Sequence, residues 1–189
     1  MKYPVVIKDT LSRRDFLSLS HHLNWEGWLR TNVDDKPNAP VSWTKHDLTP
    51  LIFYKVATTF QLKLKRFLEC DLSVVKIHVN GQTMGQLSSF HKDFYLDNVW
   101  TTVLFTNDDW NVNYGGEFTL YNPESGEYES VSYIPNTSVT FPSNWEHKGA
   151  CPLVPDAGIR TSLAISFCRR VDLDAFLEAY PGNSRFALR

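Results

Sequence analysis

The sequence predicts a mostly β domain, a sandwich or barrel of short strands behind an N-terminal helical segment. Three observations predict it. The apolar residues recur at helical spacing before residue 74 and alternate with a period of two after it. About eight strand-like runs follow at hairpin spacing, separated by Asn-Gly, Gly-Gly, Asn-Pro and Pro-Asn turn signals. No linker, internal repeat or low-complexity segment interrupts the 189 residues, so one domain with a sizeable core is the economical reading.

Residues 3–8 alternate weakly and predict an edge strand. Ser12-Arg13-Arg14-Asp15 resembles a capping box with Asp in place of Glu or Gln. Phe16, Leu19 and Leu23 follow at helical spacing, which predicts a short helix over 13–22. Trp25-Glu26-Gly27-Trp28 and the polar stretch Thr31 to Pro40 read as loop, the Trp pair making either a packed corner or a mobile flap. Thr49 as cap and Pro50 at the first helical position then open a helix over 50–69. Its apolar stripe is Phe53, Val56, Ala57, Phe60, Leu64, Phe67 and Leu68, suited to lie against a sheet.

From Val74 the pattern turns strand-like, with Val75, Ile77 and Val79 alternating with Lys76 and His78. Asn80-Gly81 is the preferred dipeptide of a tight hairpin, so a return strand is expected from Thr83 into His91. Val99 to Phe105 is rich in β-branched and aromatic residues and predicts a strand. A polar loop, Asn107 to Tyr114, and the turn Gly115-Gly116 follow. Strands are predicted over 117–121, 128–134, 138–141 and 160–168, and a last short helix over 172–180.

Composition excludes some classes. Net charge is −2, which argues against binding a nucleic-acid backbone non-specifically. The apolar run Pro4-Val5-Val6-Ile7 is too short for a signal peptide or a membrane span. The cysteines number three, an odd count without paired spacing, which suggests neither a disulfide framework nor a zinc site. A reducing, cytoplasmic location is the corresponding expectation.

The chemistry centres on Phe90-His91-Lys92-Asp93-Phe94. On a strand, His91 and Asp93 point to one face, and together they supply two of the three ligands of a facial two-His, one-carboxylate iron site. With 6 His in the chain, about 0.4 His-x-Asp matches arise by chance, so the pair needs partners downstream. His147 follows the strand over 138–141 and can return to His91. By itself it reads rather as a surface His between Glu146 and Lys148. Arg160 and Ser162 share one face of the last strand. A guanidinium there can hold the far end of a dicarboxylate, or it can stand at the strand mouth in water. Gly115-Gly116-Glu117-Phe118 opens a strand and by itself reads as a turn.

In this order, His91-x-Asp93, Gly115-Gly116-Glu117, His147-x-Gly149 and Arg160-x-Ser162 resemble the iron(II)/2-oxoglutarate-dependent oxygenases, and within them the prolyl 4-hydroxylase branch. The resemblance covers about residues 74–168. It implies a double-stranded β-helix, or jelly-roll-like, core over about 74–168, a helical buttress over about 10–70 and a C-terminal helix over about 172–180. It implies that His91, Asp93 and His147 bind Fe(II). It implies that Arg160, assisted by Ser162, pairs with the C5 carboxylate of 2-oxoglutarate. Dioxygen is the further co-substrate, and ascorbate supports activity in such systems. Oxidative decarboxylation of 2-oxoglutarate would be coupled to hydroxylation of a prolyl residue in a peptide or protein, or of a free amino acid or other small metabolite.

Two departures bear on the co-substrate. The family branch often places a Tyr before His-x-Asp, where this chain offers His78 or Ser88. It often places a second Tyr where this chain has Phe105, so Thr101 becomes a candidate to share the carboxylate. Trp145 either lines the substrate mouth or belongs to the core rim. A competing reading of another class is a non-enzymatic jelly-roll binding module. It would have no need of two His, an Asp and an Arg in this order.

Overall fold

Ser12 opens the first helix, its hydroxyl accepting from the Asp15 amide at 3.2 Å. That helix, α1, spans Arg13–Asn24, two residues beyond the predicted end at 22. The computed structural model describes residues 3–24, 28–32, 41–45, 51–86 and 88–186. Within them β1 is Val5–Ile7, β2 Trp28–Asn32, β3 Val41–Lys45, and α2 Leu51–Leu68. There follow β4 (Leu72–Gln82), β5 (Val99–Phe105), β6 (Phe118–Asn122), β7 (Glu127–Val131) and β8 (Ser138–Pro142). The last elements are β9 (His147–Gly149), β10 (Arg160–Arg169) and α3 (Leu173–Ala179).

The strands form two antiparallel sheets. The larger has the order β1-β8-β5-β10-β4-β3-β2, and the smaller β7-β6-β9. An isolated bridge between His91 and His147 extends the smaller sheet by one position. The chain thus crosses repeatedly between two facing sheets, the double-stranded β-helix that the motif order implies. Among the described residues β1 pairs with β8 alone, the expected edge strand.

The period of two gives each face of the larger sheet its own partner. Ile77, Val79, Leu104, Leu163 and Ile165 pack against Leu19 and Leu23 of α1 and Phe53 and Phe60 of α2. On the opposite face Val103, Phe105, Val139 and Phe141 meet Phe118 and Leu120 of the smaller sheet, with Tyr133 and Trp145. Most of the predicted α2 stripe is buried, but Phe67 is 44% exposed at its C-terminal end. The predicted start of this helix at Thr49 and Pro50 lies outside the described residues, as do residues 25–27 and 33–40 of the expected loop.

Three expectations are corrected. Trp28–Asn32 is not loop: it pairs with Val41–Lys45 as the hairpin β2–β3 at the edge of the larger sheet. Asn80-Gly81 is not a hairpin turn. β4 runs straight through it, with Gly81 opposite both Thr161 and Trp43. Glycine is required there by crowding: a Cβ would meet Trp28 Cζ3 at 2.9 Å, Ile159 Cγ2 at 3.0 Å and Trp43 Cβ at 3.0 Å. Consequently no return strand follows Thr83 among the described residues. The chain turns at Met84-Gly85 and residues 88–90 enter His91 as loop, so His91 and Asp93 converge from an isolated bridge and a bend.

Candidate active site

The site lies on the inner face of the larger sheet, between it and β9. Cross-strand pairing orders that face in rows. Gln82 stands opposite Arg160, Asn80 opposite Ser162, His78 opposite Ala164, and Lys76 opposite Ser166. β5 continues three of the rows with Phe105, Val103 and Thr101. Arg160 therefore marks one end and Thr101 the other.

His91, Asp93 and His147 meet at the Thr101 end. One ligand atom from each lies within 4.8 Å of the other two. His91 Nε2 is 3.8 Å from Asp93 Oδ1, and His147 Nε2 is 3.7 Å from Asp93 Oδ2. The backbone bonds between His91 and His147, 3.1 and 2.9 Å, clamp the two segments together. Each Nδ1 faces a carbonyl: His147 that of Trp145 at 3.0 Å, His91 that of Ser89 at 3.2 Å. With Nδ1–H donating there, both Nε2 lone pairs aim at the same point as the carboxylate. Phe141 and Phe118 wall the His147 ring at 4.6 and 5.6 Å. His147 is 4% exposed, not the surface residue its charged neighbours suggest, whereas His91 faces solvent.

Burial pushes His147 below its ordinary pKa, outweighing the opposing pull of Asp93, which keeps the imidazole neutral and able to ligate. Burial would raise Asp93, but His147, Lys76, the Thr101 hydrogen bond and His91 hold its carboxyl below the ordinary value. Thr101 Oγ1 donates to Asp93 Oδ2 at 2.7 Å. It is also within 2.8 Å of Ser143 Oγ and 3.1 Å of Ser166 Oγ. Thr101 thus lies against Asp93, at the far end of the sheet from Arg160.

Arg160 is 2% exposed. Its Nε donates to the Gly116 carbonyl at 2.7 Å and its Nη1 to Gln82 Oε1 at 3.2 Å. Nη2 is buried without a hydrogen-bond partner among the described residues. Tyr133 and Phe105 stack on the guanidinium at 4.8 and 5.7 Å from their ring centres. Among the described residues no carboxylate comes within ion-pair distance of it. A buried guanidinium in that state calls for an anion. Tyr133 is not free to serve the anion: its single hydroxyl proton is shared between Asn107 Oδ1 and the Thr161 carbonyl, and its oxygen accepts from the Thr106 and Asn107 amides.

The glycines beside these motifs now have a physical reason. A Cβ on Gly116 would lie 3.1 Å from Arg160 Cδ. A Cβ on Gly149 would lie 3.1 Å from Nη1, 3.2 Å from Nη2 and 3.1 Å from Gln82 Oε1. Both leave room for the guanidinium. Ser162 is buried on the same face, two positions along β10. His78 sits between Lys76 and Asn80, half-buried and facing the same space. The Trp145 indole is buried at 7% exposure, edge-on to Tyr3, and its backbone carbonyl faces His147 Nδ1. Sequence reading missed Gln82, Lys76 and Ser143. Gln82 and Lys76 had a signal in the alternation of β4, once that strand is read past Gly81.

The residues fit the groups expected of them. Two neutral imidazoles and a carboxylate converging on one face suit a divalent iron-type ion with open positions. The orphaned Arg160 nitrogen suits the far carboxylate of a keto diacid.

No protein-family model matches the chain, and neither does any curated protein. Solved structures do. The chain is similar, with a TM-score of 0.70 and 10% identity over 88% of its length, to 85% of an oxidoreductase of the 2OG-Fe(II) oxygenase family from Burkholderia pseudomallei. It is similar, at 0.67 and 11% over 88%, to 83% of HygX from Streptomyces hygroscopicus with nickel, 2-oxoglutarate and hygromycin B bound. It is similar, at 0.65 and 14% over 91%, to 86% of a prolyl hydroxylase in complex with a hypoxia inducible factor peptide fragment from Trichoplax adhaerens. The likeness is one of fold: the chain has the double-stranded β-helix found in structures of 2OG-Fe(II) oxygenases.

Proposed function

We propose that the chain is an Fe(II)- and 2-oxoglutarate-dependent dioxygenase that hydroxylates a prolyl residue in a peptide or protein. The observation that carries the reading is one sheet face holding a two-His, one-Asp cluster at one end and a buried, uncompensated arginine at the other. His91, Asp93 and His147 would hold the ion, and Arg160 the C5 carboxylate of 2-oxoglutarate, with Ser162 beside it. When bound, the ion and keto acid supply oxygen activation, giving succinate, carbon dioxide and a hydroxylated product.

The chain's own residues do the rest. The Ser89 and Trp145 carbonyls fix both imidazole tautomers. Thr101 orients the Asp93 carboxylate. Gln82 and the Gly116 carbonyl point the guanidinium inward. Phe141, Phe118, Phe105 and Tyr133 wall the space against water.

The peptide substrate is favoured by the motif likeness to the prolyl 4-hydroxylase branch and by the peptide bound to the Trichoplax adhaerens enzyme. A small-molecule substrate is the second reading, favoured by the hygromycin B bound to HygX. The test is succinate formation from 2-oxoglutarate with Fe(II), ascorbate and oxygen, against proline-containing peptides and free amino acids. Succinate that requires Fe(II) and rises with one peptide supports the prolyl reading. A rise with a free amino acid alone moves the assignment to the second reading. No succinate from folded protein refutes the oxygenase.

A further inference from the structure

Lys76 makes no hydrogen bond or ion pair in the site as described, yet it stands in the same row as Thr101. It lies on the inner face of β4 opposite Ser166. Ser166 is hydrogen-bonded to Thr101, and Thr101 to Asp93. The Lys76 ammonium sits 5.6 Å over the ring of Phe94, the residue after Asp93. Among the described residues it makes no ion pair. It is half-buried rather than waving in solvent. The aromatic face holds it in place without neutralising it.

The charge balance of the row decides what this lysine is for. A divalent ion on His91, Asp93 and His147 is met by one protein carboxylate only, because both imidazoles are neutral ligands. Lys76 adds a further positive charge, in the row of Ser166 and Thr101 and over the ring of the residue next to Asp93. A cation beside a cation is unfavourable unless an anion enters between them. Arg160 is six positions before the row of Lys76 on β10, at the other end of the face, and answers to a different carboxylate. The face thus carries two separate cationic groups, one buried at the closed end and one beside the metal ligands.

We propose that Lys76 is a carboxylate-binding residue that receives the acid group lying next to the metal, as Arg160 receives the distant one. This rests on the oxygenase reading and extends it. The carboxylate can come from either of two sources, the 1-carboxylate of the keto acid or an acid group of the prime substrate. The second source would make the substrate class anionic, a free amino acid or an acidic peptide.

Binding to nickel-loaded protein without turnover tests the proposal. The probes are 2-oxoglutarate, 4-oxopentanoate, which lacks the 1-carboxylate, and 2-oxopentanoate, which lacks the 5-carboxylate. A fourth probe is acetate, added to protein saturated with 2-oxoglutarate. The variants are Lys76→Met, Lys76→Arg and Arg160→Met, each checked for an unchanged circular dichroism spectrum and used saturated with nickel.

If the keto acid is the source, Lys76→Met weakens 2-oxoglutarate and 2-oxopentanoate by about tenfold or more, the loss of one charge-assisted hydrogen bond, and leaves 4-oxopentanoate unchanged. Arg160→Met shows the reverse pattern, and Lys76→Arg restores binding. If the substrate is the source, the three keto acids are unaffected by Lys76→Met, while acetate binds the wild type and not the variant. The proposal is overturned if Lys76→Met changes none of the four, or weakens all four equally. A wild-type chain that takes nickel but no keto acid refutes the oxygenase reading itself, an outcome distinct from a loss confined to the variant.

Discussion

Thr101 and Asp93 are joined by a 2.7 Å hydrogen bond from Oγ1 to Oδ2, which fixes the carboxylate between the two histidines. Replacing Thr101 by Val keeps the shape and removes the donor. Metal affinity should fall by about tenfold to a hundredfold, the usual effect of losing a group that orients a ligand. Thr101→Ser should retain most of it. Isothermal titration with Ni(II) measures both. Equal affinity in Thr101→Val and wild type would show that Asp93 holds its place without help.

Gly149 makes a second, separable prediction. An added methyl would press on Nη1 and Nη2 of Arg160 and on the Gln82 amide oxygen. The guanidinium cannot swing away, since Gly116 and Tyr133 confine it from other sides. Gly149→Ala should therefore weaken 2-oxoglutarate binding by about tenfold or more while leaving Ni(II) affinity intact. The fold should lose only about 1–3 kcal/mol, the range for overpacking a well-filled site. Loss of metal binding in parallel would mean that the two ends of the face are not independent.

The buried ligands set the pH response of the metal-free protein. His147 has its folded pKa below the ordinary 6.5, because burial disfavours its charged form. The unfolded chain then binds the proton first, so stability falls as pH drops below about 6.5. Asp93, held below its ordinary 3.8, adds a further loss below that pH. Urea unfolding between about pH 7.5 and pH 5 should show this slope in the wild type and a shallower one in His147→Asn. Identical slopes would remove His147 as the cause.

Gly81 tests the fold itself. Its neighbours leave no space for a Cβ, and its φ is not positive. Gly81→Ala should destabilise by about 1–3 kcal/mol through crowding of Trp28, Trp43 and Ile159, seen as a lower urea midpoint. An unchanged midpoint would mean that the β2–β3 hairpin yields without cost.

That residue also shows where sequence reading stops. Asn80-Gly81 has the local chemistry of a turn, but β4 is flanked by β10 and β3, and pairing on both sides keeps it extended. Local preference lost to tertiary pairing. The strand Val99–Phe105 was legible because its β-branched run, buried from both sides, admits one conformation. The hairpin β2–β3 was not: its strands carry polar residues, and the larger sheet supplies the order they adopt. β9 is only His147–Gly149, too short to show a period. The meeting of His91, Asp93 and His147 was legible from residue type and order alone. What it leans on was not, because Thr101 and Ser143 meet Asp93 and each other across strands that only the register brings together.

The most direct test of the central claim is an anaerobic titration of Fe(II) into the protein with and without 2-oxoglutarate, followed by visible absorption. The account predicts about one iron per chain, and a charge-transfer band that appears only when the keto acid is added. His147→Ala should abolish the band through loss of iron, and Arg160→Met should shift it to higher 2-oxoglutarate concentration. Wild-type protein, folded and supplied with both, that shows neither bound iron nor the band would contradict the account.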